Sequence, residues 1–157
     1  MQKISPCLWF DTQGEDAAKF YTSIFKNSKI LAVARYGSAG PRPEGTVMTV
    51  TFELDGQEFM ALNGGPEFTF DEAISFSVLC ADQAEVDYFW NRLGEGGEHG
   101  PCGWLKDQFG VSWQIVPSVL EELVRGSDPA KAQAAMKAML GMSKLDIAEL
   151  QRAYDEG

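Results

Sequence analysis

A chain of 157 residues is long enough to bury the core of one domain, and 45% hydrophobic with 23% charged residues is the composition of a folded globular protein. The formal net charge of −10 would repel the phosphates of a nucleic acid, which argues against such a partner. No apolar run approaches the roughly 20 residues of a membrane-spanning helix, and the 3 widely spaced cysteines, without a Cys-x-x-Cys motif, favour reduced thiols over a disulfide framework.

The first half of the chain predicts a βαβββ arrangement. Ile4–Phe10 has the composition of a strand that Pro6 limits to the edge or end of a sheet. This run begins at once, so the N-terminus has no signal-peptide layout. The widely spaced cysteines favour a cytoplasmic protein. Thr12-Gln-Gly-Glu15 has the form of a capping box for a helix whose apolar stripe reaches Phe25. Three further strands are predicted, at Lys29–Tyr36, Thr46–Leu54 and Gln57–Asn63. The Asp-Gly pair between the last two predicts a tight hairpin.

The second half begins the same pattern again. Ala73–Cys80 is predicted as a strand, and Asp82-x-x-Glu85 as the capped start of a helix. When the sequence is shifted by 69 positions, the aromatic pair of the first helical stripe falls on Phe89-Trp90 of the second. The order and spacing of elements repeat although residue identity is poor, so we expect a structural repeat.

A hairpin is expected to close the second half. Gly94–Gly103 is predicted as a glycine-rich loop that replaces one strand. The runs Trp104–Lys106 and Val111–Val116 then flank a turn of the form Asp107-x-x-Gly110. Aspartate at the first and glycine at the fourth position are typical of a type I turn.

The rest of the chain predicts helices. They are expected over Val119–Val124, from Ser127 to about Leu140, and over Leu145–Tyr154. The motifs Ser118-x-x-Glu121 and Ser143-x-x-Asp146 are predicted to cap the first and the third. Strands that alternate with helices, followed by helices alone, indicate an α+β fold.

We therefore predict two βαβββ modules within residues 1–117, at about 4–63 and 73–117. The helical extension, 118–157, is predicted to pack on the same domain.

The only histidine, His99, raises two possibilities for chemistry. With Glu98 and Cys102 it could meet a metal, or it could activate Cys102 as a nucleophile. The commoner interpretation is a mobile loop, because a closed metal site needs more ligands than this stretch supplies. No Gly-x-Ser-x-Gly, P-loop or Gly-x-Gly-x-x-Gly motif is present, so a glycine loop for a dinucleotide or S-adenosylmethionine is not predicted.

Polar side chains share faces of the strands in the second half. Ser75 and Ser77 lie on one face of their strand, and Ser112 and Gln114 on one face of theirs. If these faces meet inside a cupped sheet, they line a polar cavity. If they do not, they are ordinary solvent-facing residues, which is the commoner case.

Several stretches of the chain resemble one family. They are Leu8-Trp-Phe-Asp11, Ala18-Lys-Phe-Tyr21 with Ile24-Phe25, Leu62-Asn-Gly-Gly-Pro66 and Cys102–Pro117. These stretches, the two modules and the helical tail resemble the PhnB-like branch, also labelled 3-demethylubiquinone-9 3-methyltransferase, of the vicinal oxygen chelate superfamily. That superfamily contains glyoxalase, bleomycin-resistance and dioxygenase proteins, and the resemblance implies a mixed sheet curved into a cup.

The resemblance also implies positions for metal ligands, and this chain departs from them. The histidine position of the first strand falls on Pro6, and its counterpart falls near Ala73-Ile74-Ser75. The glutamate position of the last strand falls on Gln114, and the fourth position lies near Ala61–Asn63. Because most of the ligands are missing, we expect no tightly bound metal and no cofactor.

These observations predict a cytoplasmic homodimer that binds a small, partly apolar molecule in the cup of its sheet. A dimer is expected because such folds commonly pair modules between chains, and because the last helix is expected to expose an apolar stripe that suits an interface. The predicted lining of the cup consists of Trp9, Asn63, Ser75, Ser77, Trp104 and Gln114. Two alternatives stay open: a metal-dependent lyase, isomerase or dioxygenase that uses Gln114, and the methyltransferase activity implied by the family label.

Overall fold

The computed structural model describes residues 2–157, so the first residue of the predicted 1–117 range lies outside the described residues. The chain divides into two compact units, one that ends at Phe70 and one that spans Asp71–Gly157. Each unit contains one βαβββ module, and the predicted α+β class is confirmed.

The first unit is a four-stranded mixed sheet with one helix. Its elements are β1 (Cys7–Phe10), α1 (Gly14–Ile24), β2 (Lys29–Arg35), β3 (Val47–Leu54) and β4 (Gln57–Asn63). The strand order is β1-β4-β3-β2, with β1 parallel to β4 and the other pairs antiparallel. Alternation in β3 buries Val50, Phe52 and Leu54, and the Phe52 ring stacks on Tyr21 of α1 at 6.2 Å between centroids. The core of this unit therefore lies between α1 and the sheet.

Two predictions in the first unit are wrong in detail. The first strand begins at Cys7, because Pro6 has no N–H to give to the sheet. The capping box predicted at Thr12 does not form, since α1 starts after Gln13 without a side-chain cap. The side chain of Asn63 instead accepts a hydrogen bond from the Gly14 N–H at 2.8 Å. A residue 49 positions away thus replaces the local cap.

The second unit repeats the strand order of the first. Its module consists of β5 (Ser75–Cys80), α2 (Gln83–Gly94), β6 (Glu98–His99), β7 (Trp104–Lys106) and β8 (Ser112–Pro117). The order is β5-β8-β7-β6, with β5 parallel to β8. In both sheets the first strand of the module pairs with the last, so the predicted structural repeat is confirmed.

The region predicted as a loop in place of one strand contains a strand after all. Glu98 and His99 form β6 and pair with Lys106 and Leu105 of β7. The strand is only 2 residues long and follows Gly94-Glu-Gly-Gly97. Two residues are too few to show the alternation that marks a strand in the sequence. A Cβ atom at Gly97 would overlap the Lys106 carbonyl oxygen, so glycine here serves a close approach of two backbones.

Three helices complete the second unit: α3 (Ser118–Val124), α4 (Pro129–Leu140) and α5 (Ile147–Glu156). The predicted caps at Ser118 and Ser143 are wrong. Helix α3 has no side-chain cap, and α5 is capped by Asp146, whose side chain accepts from the Glu149 N–H. Asp146 is the last residue of the predicted motif. It caps α5 in place of Ser143 because it directly precedes the helix.

The apolar stripe of the last helix is covered within its own unit. Leu145 and Leu150 are fully buried in a cluster with Leu120, Leu123 and Ala135. The expectation that this stripe lies exposed is therefore wrong, and it no longer supports a dimer. Among residues 2–157, no helix has both the length and the apolar character needed to cross a membrane.

Candidate functional site

One row of side chains crosses a single face of the second sheet. Ser112 of β8 pairs with Ser75 of β5 on one side and with Lys106 of β7 on the other. Lys106 pairs in turn with Glu98 of β6. Residues in register on neighbouring strands point to the same face, so a serine pair, a lysine and a glutamate stand side by side.

A second row runs parallel to the first on the same face. Gln114 of β8 lies between Ser77 of β5 and Trp104 of β7. The Gln114 Nε2–H donates to Ser75 Oγ at 2.9 Å and ties the two rows together. The structure thus brings together four of the predicted lining residues, and it does so within one module.

The opposite face of the sheet is the core side. Trp113 and Ile115 are buried there, together with Val86, Trp90 and Leu93 of α2. His99 also belongs to this side, because its ring stacks on Trp90 at 4.3 Å between centroids and an interplanar angle of 9°. Its Nε2 lies 3.0 Å from the Trp90 carbonyl oxygen. The histidine is therefore held against α2 rather than in a mobile loop.

A cavity of about 410 Å³ opens in the second unit. Trp104–Lys106 and the segment 98–102 line it, and Glu72 and Ser112 complete the wall. Its surface combines the apolar parts of Trp104 and Pro101 with a few charged groups. This volume and this mixture are typical of sites for small molecules.

The buried hydroxyl in this cavity has no partner. Ser112 is 1% exposed, and among residues 2–157 its Oγ is the only buried side-chain nitrogen or oxygen without a hydrogen bond. An unsatisfied buried hydroxyl costs about 1–3 kcal/mol, and native structures rarely keep one without a reason.

The charges around the cavity are mostly negative. Lys106 Nζ forms an ion pair with Glu72. The pKa of Lys106 is raised, first by the hydrogen bond to Glu72 and by its charge, and further by Glu98 and Asp71. A single cation therefore lies among three carboxylates.

The two predicted lining residues of the first unit have hydrogen-bond partners within that unit. Trp9 Nε1–H donates to the Gly65 carbonyl oxygen at 2.9 Å. Asn63 is 6% exposed, and its amide bonds to Gly14 N–H and, at 3.2 Å, to the Val47 carbonyl oxygen. Both side chains hold the first module together, and their role in ligand binding stays a prediction.

Comparison with known proteins identifies the family. The family model described as 3-demethylubiquinone-9 3-methyltransferase matches residues 2–116. The chain belongs to this family. The match ends before α3, so the tail helices lie outside it.

Solved structures agree with the family and with the fold. The PhnB protein of Bacillus cereus is 39% identical, with a TM-score of 0.67, and the match covers 74% of this chain and 100% of that protein. A Pseudomonas aeruginosa protein is 22% identical, with a TM-score of 0.62 and coverage of 74% and 98%. The fosfomycin resistance protein FosX of Listeria monocytogenes is 15% identical, with a TM-score of 0.53 and coverage of 78% and 97%.

PhnB and FosX belong to the glyoxalase, or vicinal oxygen chelate, superfamily, and the two βαβββ modules have the fold of that superfamily. At the low identity of FosX the likeness shows the fold alone. A comparison with curated proteins finds no match.

The residues of this family member do not fit a metal centre. FosX has been solved with Mn(II), but here no group of three or more His, Cys, Asp or Glu side chains comes together among residues 2–157. Of the positions that the resemblance implies, Pro6 offers no donor and Gln114 is bonded to Ser75.

Sequence reasoning missed the residues that surround the cavity most closely. Ser112 was placed on the face of Gln114 but not among the lining residues, and Lys106 and Glu72 were not considered. The signal was available for Ser112 and Lys106, because the predicted hairpin around Asp107 places them opposite each other. Glu72 lies before β5 and has no periodicity that could have marked it.

Proposed function

We propose that the chain binds a small, partly apolar molecule in the cavity of its second module, without a tightly held metal. The observation that carries this proposal is the Ser112 hydroxyl, which is buried in the cavity wall without a partner. A ligand group that bonds to it would recover the cost of its burial. The volume of about 410 Å³ admits a molecule with two or three rings.

Apolar and polar contacts have separate places in this proposal. Trp104 and Pro101 would contact the body of the ligand. Ser75, Ser77 and Gln114, in the rows beside the cavity, would orient its polar groups by hydrogen bonds. Trp9 and Asn63 belong to the first unit, and a role for them in ligand binding is proposed on sequence grounds alone.

The neutral dye N-phenyl-1-naphthylamine tests the proposal, since it has three aromatic rings and its fluorescence rises in apolar sites. We expect saturable binding of one dye per chain. Trp104→Ala should weaken it about tenfold, because it removes a large aromatic contact. Tyr88→Ala is the matched control, since Tyr88 is an exposed aromatic residue on α2 outside the cavity. No fluorescence increase, or equal binding by the Trp104 variant, would overturn the proposal.

Two alternatives have their own measurements. Calorimetric titration with S-adenosylmethionine tests the activity in the family's name, and binding would favour a methyltransferase. Elemental analysis followed by titration with manganese, nickel and zinc tests a metal enzyme. Stoichiometric metal that is lost in Gln114→Ala would restore that alternative.

We also propose that the protein is cytoplasmic, which its widely spaced cysteines favour, and that it is a homodimer, as the resemblance implies. Light scattering coupled to size-exclusion chromatography tests the dimer. A monomer at micromolar concentration would contradict it.

A further inference from the structure

We propose that the ligand of this cavity carries a protonated amine on its apolar body. This inference rests on the proposed function, because it names the chemical class of molecule that the same cavity takes. Three observations support it: the negative charges around the cavity, the ion pair that Lys106 forms with Glu72, and the unpartnered hydroxyl of Ser112.

The negative charges outnumber the positive ones at the cavity. Glu72, Glu98 and Lys106 line it, and the Lys106 ammonium is already paired with Glu72. Glu98 has no ion pair or side-chain hydrogen bond within residues 2–157. Among the described residues, one carboxylate of the lining is therefore unpaired, whereas its one cation is paired. A carboxylate or phosphate group would meet net repulsion here, and an ammonium group would meet attraction.

The contacts proposed for the ligand, to Glu98 and to Ser112, lie at separate places on the sheet. Ser112 and Glu98 lie on either side of Lys106, two strand spacings apart, which is about 10 Å between their backbones. An ammonium at Glu98 therefore leaves the body of the ligand over Lys106 and Trp104. The Ser112 Oγ accepts no hydrogen bond within residues 2–157, so a hydrogen-bond donor on that body would satisfy it.

The aromatic wall suits the same class of ligand. Trp104 lies two residues before Lys106 in β7, so the two side chains share a face of the sheet, and both line the cavity. The face of an indole attracts a nearby cation as well as an apolar ring. An aromatic amine would use both properties of this wall.

The test is displacement of N-phenyl-1-naphthylamine by two molecules of the same shape, tryptamine and indole-3-propionate. Both have an indole ring on a two-carbon chain, and they end in an ammonium and a carboxylate. We expect tryptamine to displace the dye at about a tenfold lower concentration than indole-3-propionate. Attraction of the ammonium and repulsion of the carboxylate each change the affinity by about fivefold or less at an exposed site.

Variants separate the cavity charge from the net charge of the protein. Glu98→Gln should reduce the preference for tryptamine severalfold while dye binding is kept. Glu72→Gln should reduce it too, because it frees Lys106 to attract the acid. Glu95→Gln is the matched control, since Glu95 is an exposed residue at the end of α2 outside the cavity, and it should leave the preference unchanged.

The outcomes distinguish this inference from the proposed function. If the dye does not bind, the proposed function fails, and this inference fails with it. If the dye binds but both molecules displace it equally, or the acid displaces it better, the amine is excluded and the proposed function stands. Equal effects of the Glu98 and Glu95 variants would also overturn the inference, because they would assign the preference to the net charge of −10.

Discussion

The hydroxyl of Ser143 donates a hydrogen bond to the carbonyl oxygen of Gly100 at 2.7 Å. Two backbone bonds flank it, from the Cys102 N–H to Met142 O at 2.7 Å and from the Gly103 N–H to Ser143 O at 2.8 Å. The turn between α4 and α5 thus holds the segment 100–103, most of which lines the cavity. The tail, which lies outside the family match, supports one wall of the candidate site.

Removal of this hydroxyl should loosen the wall. We expect Ser143→Ala to lower the free energy of unfolding by about 1 kcal/mol, the contribution of one hydrogen bond. Exchange of the Cys102 and Gly103 amide hydrogens should become faster, because local opening needs less energy. Hydrogen–deuterium exchange checks this, with Ser127→Ala as the control for an exposed serine before α4. Unchanged exchange at both amides would show that the backbone bonds hold the wall alone.

In the first unit, Asn63→Ala should be strongly destabilising. The substitution removes the acceptor for the Gly14 N–H at the start of α1 and the donor to the Val47 carbonyl oxygen. Because both groups lose their partner in a buried place, we expect a loss of about 2–3 kcal/mol in the free energy of unfolding. Urea denaturation measures it. Asn91→Ala on the exposed face of α2 is the control and should change stability by less than about 0.5 kcal/mol.

The role of Asn63 shows what the sequence could not predict. Strand patterns and the Asp-Gly hairpin depend on neighbours in the chain, and the structure confirms them at β3 and β4. The cap of α1 depends on a residue 49 positions away, and no local motif records such a contact. Thr12-Gln-Gly-Glu15 has the sequence of a capping box, but α1 begins after Gln13 without a side-chain cap.

Asp107 in the second module likewise has one role that the sequence predicts and one that it does not. Its place in a type I turn was predicted, and the Gly110 N–H does donate to its carbonyl oxygen at 3.0 Å. Its side chain is buried, however, and accepts hydrogen bonds from the Phe109 and Val111 N–H groups and from Trp113 Nε1. Turn statistics predict the fold of the backbone, whereas burial of the carboxylate depends on packing.

The thiol of Cys80 should make the stability of the protein depend on alkaline pH. Burial raises its pKa from 9.0 to about 12, and the charges of Glu85 and Asp82 add to the effect. Between these two pH values the unfolded chain loses the thiol proton and the folded chain keeps it. The free energy of unfolding should therefore fall as pH rises above 9, by about 1 kcal/mol per unit from this group.

Comparison with non-titrating variants isolates this contribution. The difference in stability between the wild type and Cys80→Ala or Cys80→Ser should be constant below about pH 8 and shrink above 9. Urea denaturation from about pH 7 to pH 10.5 measures it. A difference that stays constant across that range would mean that the thiol titrates alike in both states.

The serine pair at the cavity offers the most direct check on the candidate site. Ser75 and Ser112 are register partners, but Ser75 Oγ accepts a hydrogen bond from Gln114 and Ser112 Oγ has no partner. In the free protein, Ser75→Ala should lower the free energy of unfolding by about 1 kcal/mol. Ser112→Ala should leave it unchanged or raise it, because the variant removes an unsatisfied polar atom. Thermal unfolding measures both. If Ser112→Ala costs as much as Ser75→Ala, the Ser112 hydroxyl is bonded within the protein and the argument for a ligand at this wall loses its basis.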